Sequence, residues 1–300
     1  MEYGVCIPHY GKDFSLNDLR TTVQRAEALG YHSVWVSDHV VPPPMYYPQF
    51  GPTFYDPFVM LTYMAAFSNT LKVGSSVMVV PYRNPLAVAK MLATLDVLSG
   101  GRVIFGVGLG SAKDEFGVLG VPYRQRAQRT DEYLRLMVAL WTQDPTDFQG
   151  EYFSFKDVRF QPKPIQKPHP PIWIGGMEEP ALRRAVALGD AWHPMVMPMP
   201  SLREKISRLR ELAQEAGRSE GPEVTVHHII RASGDTPIYS ETESRLDKAS
   251  YPQIREDMHQ YEEMGVPVVL CNFLPSSFQD LWDAMVTFST EIMAHSHRSV

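Results

Sequence analysis

The sequence is poor in cysteine, in long hydrophobic runs and in net positive charge. Two cysteines among 300 residues are too few for a secreted disulfide framework, which favours a reducing, cytoplasmic location. The longest apolar runs, such as Val77–Val80, are far shorter than the ~20 residues of a membrane span, and no basic flank of a secretion signal precedes the first strand. The net charge of −6 argues against nucleic-acid binding. Small molecules are therefore the expected partners.

Several catalytic signatures are also missing from the sequence. It contains no H-E-x-x-H, G-x-S-x-G or P-loop pattern. His227 and His228 are adjacent on a predicted strand and point to opposite faces, without a companion acidic or cysteine cluster, so no metal site is expected. The first strand is followed by Ile7-Pro8-His9-Tyr10-Gly11 rather than by a G-x-G-x-x-G turn, which argues against a doubly wound dinucleotide-binding sheet.

Short apolar strands alternate with amphipathic helices along the whole chain. Helix starts are marked by Asp56-Pro57 and Asn84-Pro85, each a capping residue followed by a proline. Such alternation implies parallel strands with helical crossovers. Eight strand–helix units predict an α/β TIM (β/α)8 barrel as a single domain over 1–300, with a hairpin-like excursion over 143–170 after the strand-four helix. The eight strands are predicted over 2–7, 33–36, 72–80, 103–107, 172–174, 191–193, 224–230 and 266–271.

Closure of this barrel makes strands one and eight neighbours, so Cys6 and Cys271 are expected to approach each other as buried thiols. The active site is expected at the carboxyl ends of the strands. There His39 follows strand two, and an imidazole exchanges protons near neutral pH, with Asp38 beside it to tune the local field. Gly175-Gly176, before a helix start, fits either a phosphate-binding nest or a simple tight turn.

Ordered motifs along nearly the whole chain resemble the luciferase-like flavin- and deazaflavin-dependent oxidoreductases, a family of TIM barrels with an inserted excursion. Within that family the sequence is most similar to the branch that uses coenzyme F420, a deazaflavin, rather than FMN. The motifs that carry the resemblance are Val34-Trp35-Val36-Ser37-Asp38-His39, Pro81-Tyr82-Arg83-Asn84-Pro85, Leu95-Asp96-Val97-Leu98-Ser99-Gly100-Gly101-Arg102, Pro170-Pro171-Ile172-Trp173-Ile174-Gly175-Gly176 and Ala187-Leu188-Gly189-Asp190-Ala191-Trp192.

The resemblance assigns residues to roles. It implies that Asp38 and His39 are the catalytic pair, and that a non-prolyl cis peptide between Ser76 and Val77 forms a bulge supporting the coenzyme ring. It implies coenzyme binding by Ser76, Val77, Val79, Gly108, Leu109, Gly110, Ser111, Gly175, Gly176 and His193. In several deazaflavin dehydrogenases of the family a carboxylate acts as proton donor where Ser111 stands here, with Asp114 and Glu115 following. Either another residue is the acid, or the reaction is not the sugar-phosphate oxidation of those relatives.

The expected function is hydride transfer between F420 and a small organic substrate, with His39 taking or giving the proton. Two alternatives stay open: an FMN-dependent monooxygenase using reduced flavin and O2, and a non-catalytic flavin-binding protein. F420 carries a glutamyl tail that FMN lacks, and Arg83, Arg124 and Arg126 are candidates to bind it.

The segment Met45–Phe50 is expected either to cover the pocket or to pack against the hairpin. Selectivity is expected to lie in the loops 42–55, 112–124 and 233–250. The oligomeric state stays open, although relatives in the family often form homodimers. The whole hypothesis requires that His39, Ser76 and Gly175 line one cavity.

Overall fold

The computed structural model describes residues 1–11, 15–230, 251–275 and 277–296. The loop 233–250, expected to contribute to selectivity, lies outside these residues. In the described part of the chain no helix has the length and apolar character needed to cross a membrane.

A parallel β-barrel forms the centre of the molecule. The strands of the described residues are β1 (Glu2–Cys6), β2 (Ser33–Val36), β3 (Lys72–Ser75), β4 (Met78–Val79), β5 (Val103–Gly108), β6 (Thr146–Gln149), β7 (Ser154–Val158), β8 (Ile172–Gly175), β9 (Ala191–His193), β10 (Glu223–Val224), β11 (Val226–Ile229) and β12 (Val268–Asn272). Along the barrel sheet they lie in the order β10-β9-β8-β5-β3-β2-β1-β12-β11, and β4 pairs with β5.

The seventh strand of the barrel is divided between two neighbours. Its first part, β10, pairs with β9, and its second part, β11, pairs with β12, with Thr225 between them. This division closes the barrel, so the predicted TIM-barrel fold is confirmed. Strands one and eight are neighbours as predicted, with Val5 opposite Cys271, and both Cys6 and Cys271 are free thiols.

Helices cover the outside of the barrel. The predicted caps are present: the Asp56 carboxylate accepts from the amides of Phe58 and Val59, and Asn84 accepts from that of Leu86. The helices are α1 (Leu16–Ala28), α2 (Tyr47–Phe50), α3 (Pro57–Ala65), α4 (Pro85–Ser99), α5 (Lys113–Val118), α6 (Arg126–Thr142), α7 (Glu179–Leu188), α8 (Met199–Glu215), α9 (Tyr251–Glu263), α10 (Phe278–Phe288) and α11 (Ala294–Ser296), the last two joined by a π-helical turn over Ser289–Met293.

The segment 143–170, interpreted from the sequence as a hairpin-like excursion, contains β6 and β7, which pair antiparallel. Its turn is held to the barrel by α6. The Glu132 carboxylate of that helix accepts hydrogen bonds from the backbone amides of Glu151, Tyr152 and Phe153 at 2.6, 2.8 and 2.9 Å.

The third strand differs from its prediction as one continuous strand over 72–80. It breaks after Ser75, the peptide bond between Ser76 and Val77 is cis, and β4 resumes alongside β5. Gly106 makes this path sterically accessible, because a Cβ there would lie 1.7 Å from the Ser75 carbonyl oxygen. The break exposes Ser76 and Val77 partly, whereas Ser75 and Met78 are buried.

Large side chains fill the lower part of the barrel interior. The rings of Trp35 and Trp173 stack with centroids 4.8 Å apart. Gly74 leaves room for this stack, since a Cβ there would lie 2.3 Å from the Trp35 ring. Ile104, Ala191, Val268 and Leu270 complete this cluster. Space for a ligand therefore remains above it, at the carboxyl end of the barrel.

Candidate active site

A cavity of about 290 Å³ opens at the carboxyl ends of the strands. Its walls are mostly aromatic and aliphatic, with a small number of neutral polar groups and His39 among them. The described residues that line it are Cys6, Ile7, Pro8, Tyr10, Trp35, Val36, Ser37, His39, Phe50, Phe54, Ser76, Met195, His227, Ile229, Asn272, Leu274 and Pro275. Phe50 belongs to the aromatic segment expected to cover the pocket, so at its end this segment does reach the cavity.

His39 is held by a buried carboxylate. Its Nδ1 lies 2.8 Å from Glu115 Oε2, and its side chain is 20% exposed whereas that of Glu115 is fully buried. The rings of Tyr46 and Phe54 lie against the imidazole, each with its centroid 5.1 Å away. Since the carboxylate accepts from Nδ1–H, this tautomer leaves the lone pair of Nε2 for a ligand in the cavity.

Glu115 receives three further hydrogen bonds. The backbone amides of Val40 and Val41 donate to its Oε1 at 2.6 and 3.0 Å, and the Tyr82 hydroxyl donates to Oε2 at 3.0 Å. Burial raises the pKa of this carboxyl, but the hydrogen bonds from His39 and the amides outweigh it and the net pKa is lowered. Glu115 is therefore a carboxylate at neutral pH, and it would stabilise an imidazolium on His39.

Asp38 does not line the cavity, although the resemblance implies that it acts with His39. Arg83 donates to its two carboxylate oxygens at 2.6 and 2.9 Å, and the Val79 amide donates at 2.9 Å. Burial raises the pKa of Asp38 while the bonds from Arg83 and Val79 oppose the rise. Asp38 thus connects the end of β2 to β4, and its catalytic role stays a prediction. Arg83, which also binds Asp56, is already paired and is a poor candidate for a coenzyme tail.

The cavity floor is a chain of hydrogen bonds in which Asn272, His227 and Ser76 line the cavity, whereas His193 and Thr225 are buried and are not among the described lining residues. The Ser76 hydroxyl lies 3.0 Å from His193 Nε2 and 3.3 Å from His227 Nδ1. The other nitrogen of His193 lies 2.8 Å from the Thr225 hydroxyl, and that of His227 lies 3.2 Å from Asn272 Nδ2. Because an amide nitrogen only donates, one consistent direction results: Asn272 to His227, His227 to Ser76, Ser76 to His193, and His193 to Thr225.

Both imidazoles of this floor are neutral. Burial, with the neighbouring His227, lowers the pKa of His193 to about 3. Burial, with the neighbouring His228, lowers the pKa of His227 to about 4. His228 points away from the cavity and lies 3.1 Å from the Tyr261 hydroxyl, as the predicted alternation required. Within the described residues no group of three or more His, Cys, Asp or Glu side chains is placed to hold a metal ion.

The glycine-rich strand ends pack against the bulge at Ser76–Val77. A Cβ on Gly108 would lie 2.4 Å from the Val77 side chain, and one on Gly175 would lie 3.1 Å from it. Gly175 therefore contacts the back of the bulge and is not among the described residues lining the cavity with His39 and Ser76, so the expectation of one shared cavity fails for it. Gly176 accepts a hydrogen bond from the Trp192 indole at 2.8 Å, and the first turn of α7 after it is acidic at Glu179.

The loop after β5 packs away from the cavity. Gly110 has φ +76°, and a Cβ there would meet Val79 at 2.6 Å. Leu109 is half-buried beside it and Ser111 is exposed. Coenzyme binding by Leu109, Gly110 and Ser111 therefore remains a prediction.

Sequence reasoning missed three residues of the site. The sequence shows Glu115 only as an acidic residue beyond Ser111, because nothing in the pattern predicts the short helix α5 that carries it to His39. His227 and Asn272 had no signal beyond lying at the ends of strands seven and eight. The expectation that polar groups gather at strand ends is the one signal that selects both.

Comparison with known proteins gives matches over most of the chain. Residues 1–266 match the family described as luciferase-like monooxygenase. An uncharacterised protein of Mycobacterium tuberculosis is 32% identical over 223 residues, which cover 70% of this chain and 75% of that protein. The F420-dependent glucose-6-phosphate dehydrogenase of Amycolatopsis mediterranei is 33% identical over 187 residues, covering 60% and 54% of the two chains. The FMNH2-dependent dimethylsulfone monooxygenase of Pseudomonas putida is 31% identical over 159 residues, covering 52% and 44%.

Solved structures of a monooxygenase and of an F420-dependent enzyme share the fold. The monooxygenase RslO1 of Streptomyces bottropensis superimposes with a TM-score of 0.82 at 19% identity, covering 99% of this chain and 100% of that one. An F420-dependent secondary alcohol dehydrogenase, solved with an F420–acetone adduct, superimposes with a TM-score of 0.79 at 20% identity, covering 98% of each chain.

Proposed function

The chain belongs to the luciferase-like monooxygenase family, and we propose that it transfers a hydride between coenzyme F420 and a small organic substrate, with His39 as the proton acceptor or donor. Members of this family are oxidoreductases or monooxygenases that use F420 or FMN. The observation that carries the proposal is the His39–Glu115 pair on the wall of the same cavity that contains Ser76 of the bulge. The condition that Gly175 also line this cavity is not met, so the proposal rests on His39 and Ser76.

The residues present fit a planar ring coenzyme. The bulge at Ser76 and Val77 is partly exposed, whereas Ser75 and Met78 on either side of it are buried. Behind the bulge lie Gly106, Gly108 and Gly175, where any larger residue would place its Cβ against the bulge. Ser76, which lines the cavity, would support the ring from one side. Ring contact by Val77 and Val79, which are not among the described lining residues, stays a prediction from the resemblance. A bound deazaflavin would supply the two-electron hydride acceptor or donor.

The protein itself handles the proton. For oxidation of an alcohol, His39 Nε2 takes the hydroxyl proton as the carbon loses its hydride, so the substrate loses two electrons and two hydrogens. The ionised Glu115 stabilises the resulting imidazolium through Nδ1–H. For reduction of a carbonyl or an activated double bond, the protonated His39 gives the proton back. Phe50 and Phe54 narrow the cavity around this position and exclude water.

An FMN-dependent monooxygenase is the alternative, because the matches to the F420 and FMN enzymes are of similar identity. Titration of the purified protein with each coenzyme separates the two candidates, followed by absorbance and fluorescence. We expect tight binding of F420 and weak binding of FMN. Tight FMN binding without F420 binding would refute the first candidate.

The His39→Ala variant tests catalysis itself. We expect it to bind coenzyme as the natural protein does and to lose coenzyme-dependent turnover. His259→Ala is the matched control, since His259 lies exposed on α9, where it pairs with Glu263. Unchanged turnover in His39→Ala would refute the role of His39 as the proton acceptor or donor. Coenzyme binding without turnover in the natural protein would support the third candidate, a non-catalytic flavin-binding protein.

Two further expectations belong to the same proposal. We propose a homodimer formed through an apolar groove between α3 and α4, where Val59 and Leu98 are each 69% exposed. We also propose a cytoplasmic location, which the free thiols of Cys6 and Cys271 support. Analytical ultracentrifugation measures the first, and fractionation of the source cells measures the second.

A further inference from the structure

We propose that the substrate of this cavity is an uncharged, largely apolar molecule, and that carboxylates, phosphates and ammonium compounds are excluded. This inference rests on the proposed function, because it names the substrate class of the same site. It is argued from where the ionised side chains of the described residues lie relative to the cavity.

No Asp, Glu, Lys or Arg side chain is among the described residues that line the cavity. The lining is formed by rings and aliphatic side chains, together with neutral polar groups such as Ser37 and Asn272. A charged substrate would therefore leave water without meeting an opposite charge on these walls, and an unpaired buried charge is strongly unfavourable.

Two ionised groups of the described residues, Glu115 and Asp38, stand behind the lining and are already paired. Glu115 lies behind His39 and accepts four hydrogen bonds through its two oxygens. Asp38 is neutralised by Arg83, which in turn binds Asp56. When His39 is protonated, the pair that it forms with Glu115 has no net charge, so it offers little net attraction to an anion.

The cavity floor is also uncharged and its imidazoles are fully engaged. Both ring nitrogens of His193 and both of His227 are used within the chain of bonds from Asn272 to Thr225. Burial keeps the pKa of each imidazole far below neutral pH. Neither imidazole can therefore become a cation that would bind a phosphate or a carboxylate.

Three six-membered-ring probes that differ in charge test this inference: cyclohexanone, cyclohexanecarboxylate and cyclohexylammonium. Their dissociation constants for the full chain, with and without F420, are measured at pH 8 by saturation-transfer NMR. We expect cyclohexanone to bind about 100-fold more tightly than either ion, because burying an ion without an opposite charge beside it is unfavourable. Binding of either ion within tenfold of cyclohexanone, or no binding of cyclohexanone, would overturn the inference.

A matched pair of variants locates the binding. Met195 lines the cavity and Met177 does not, and their exposures are similar, 46% and 41%. Met195→Arg supplies the missing cation, so we expect it to tighten cyclohexanecarboxylate by about tenfold or more, whereas Met177→Arg leaves it unchanged. Equal effects of the two variants, or none, would overturn the assignment to this cavity.

The inference and the proposed function can fail separately. If F420-dependent turnover is found with a phosphorylated or carboxylated substrate, the function stands and the inference falls. If the neutral probe is preferred but F420 neither binds nor reacts, the charge selectivity stands and the hydride-transfer function falls.

Discussion

Replacing Glu115 with glutamine should invert the tautomer of His39 without moving its ring. The amides of Val40 and Val41 donate to Oε1 and cannot reverse, so the glutamine oxygen must take that position. Its NH2 group then occupies the position of Oε2, 2.8 Å from His39 Nδ1. Since an NH2 group only donates, Nδ1 must accept and the ring proton moves to Nε2. In the variant, Nε2 of His39 therefore presents an N–H donor to the cavity, whereas in the natural protein it presents a lone pair that acts as a base.

The expected loss of turnover is large because the base is absent although the ring is in place. A carboxylate-to-amide change that imposes the wrong tautomer on a catalytic imidazole lowers kcat by about 10,000-fold in the serine proteases. We therefore expect a fall of about 1,000- to 10,000-fold in Glu115→Gln, which is about 4–5.5 kcal/mol of barrier. Coenzyme binding should be unchanged. The free energy of unfolding should fall by about 1–3 kcal/mol, because the Tyr82 hydroxyl loses the carboxylate oxygen that accepts its hydrogen bond.

Two measurements check this prediction. The ¹⁵N shifts of labelled histidine show which nitrogen of His39 carries the proton, and they need no substrate. Turnover is then measured with any substrate found by screening with F420. Tyr82→Phe is the control, since it removes a neutral donor to the same carboxylate and leaves the tautomer alone, so less than about tenfold loss is expected. A glutamine variant with the proton still on Nδ1, or with turnover within tenfold of the natural protein, would refute the reasoning.

Three other outcomes are expected. His193 and His227 have pKa values lowered to about 3 and about 4, so the unfolded chain binds protons at these residues before the folded protein does. The free energy of unfolding should therefore fall on acidification below the ordinary pKa of ~6.5, by about 2 kcal/mol for each histidine from pH 6.5 to 5. Urea unfolding at the two pH values measures this fall, and an unchanged free energy would contradict it. Gly106→Ala should lower the free energy of unfolding by about 3 kcal/mol or more, because its Cβ would lie 1.7 Å from the Ser75 carbonyl oxygen. Gly117→Ala, with open space around it, should instead raise the free energy of unfolding by up to about 1 kcal/mol. Similar results for both variants would count against the steric argument. Val59→Asp should convert the dimer to a monomer in analytical ultracentrifugation, and Val286→Asp, exposed on α10, should not; a Val59→Asp dimer would place the interface elsewhere.

The architecture follows from local signals that the sequence carries plainly. Alternation of strands and helices implied eight parallel units, and Asp56-Pro57 and Asn84-Pro85 fixed two helix starts because a cap and a proline each act within one turn. Barrel closure followed from the number of units. The adjacency of strands one and eight was then a topological consequence, and the pairing of Val5 with Cys271 confirms it.

The site was only partly accessible from the sequence, because its decisive contacts join distant segments. His39 and Glu115 are 76 positions apart, and Glu115 reaches the cavity wall on a helix of six residues, too short to give a periodic signal. Asp38 shows the same limit from the other side. It stands next to His39 in the sequence, just after β2 ends at Val36, but its carboxylate binds Arg83, a contact 45 positions away that no local pattern indicates, and its catalytic role stays a prediction.

The stacked indoles beneath the cavity should make the tryptophan fluorescence of the protein sensitive to ligand binding. Trp35 is shielded from water yet forms part of the cavity lining, and Trp173 stacks on it. Any ring that settles above them alters the environment of the same pair of chromophores. Occupancy can therefore be followed through tryptophan emission in unlabelled protein, with Trp35→Phe identifying the share of the signal that comes from this stack.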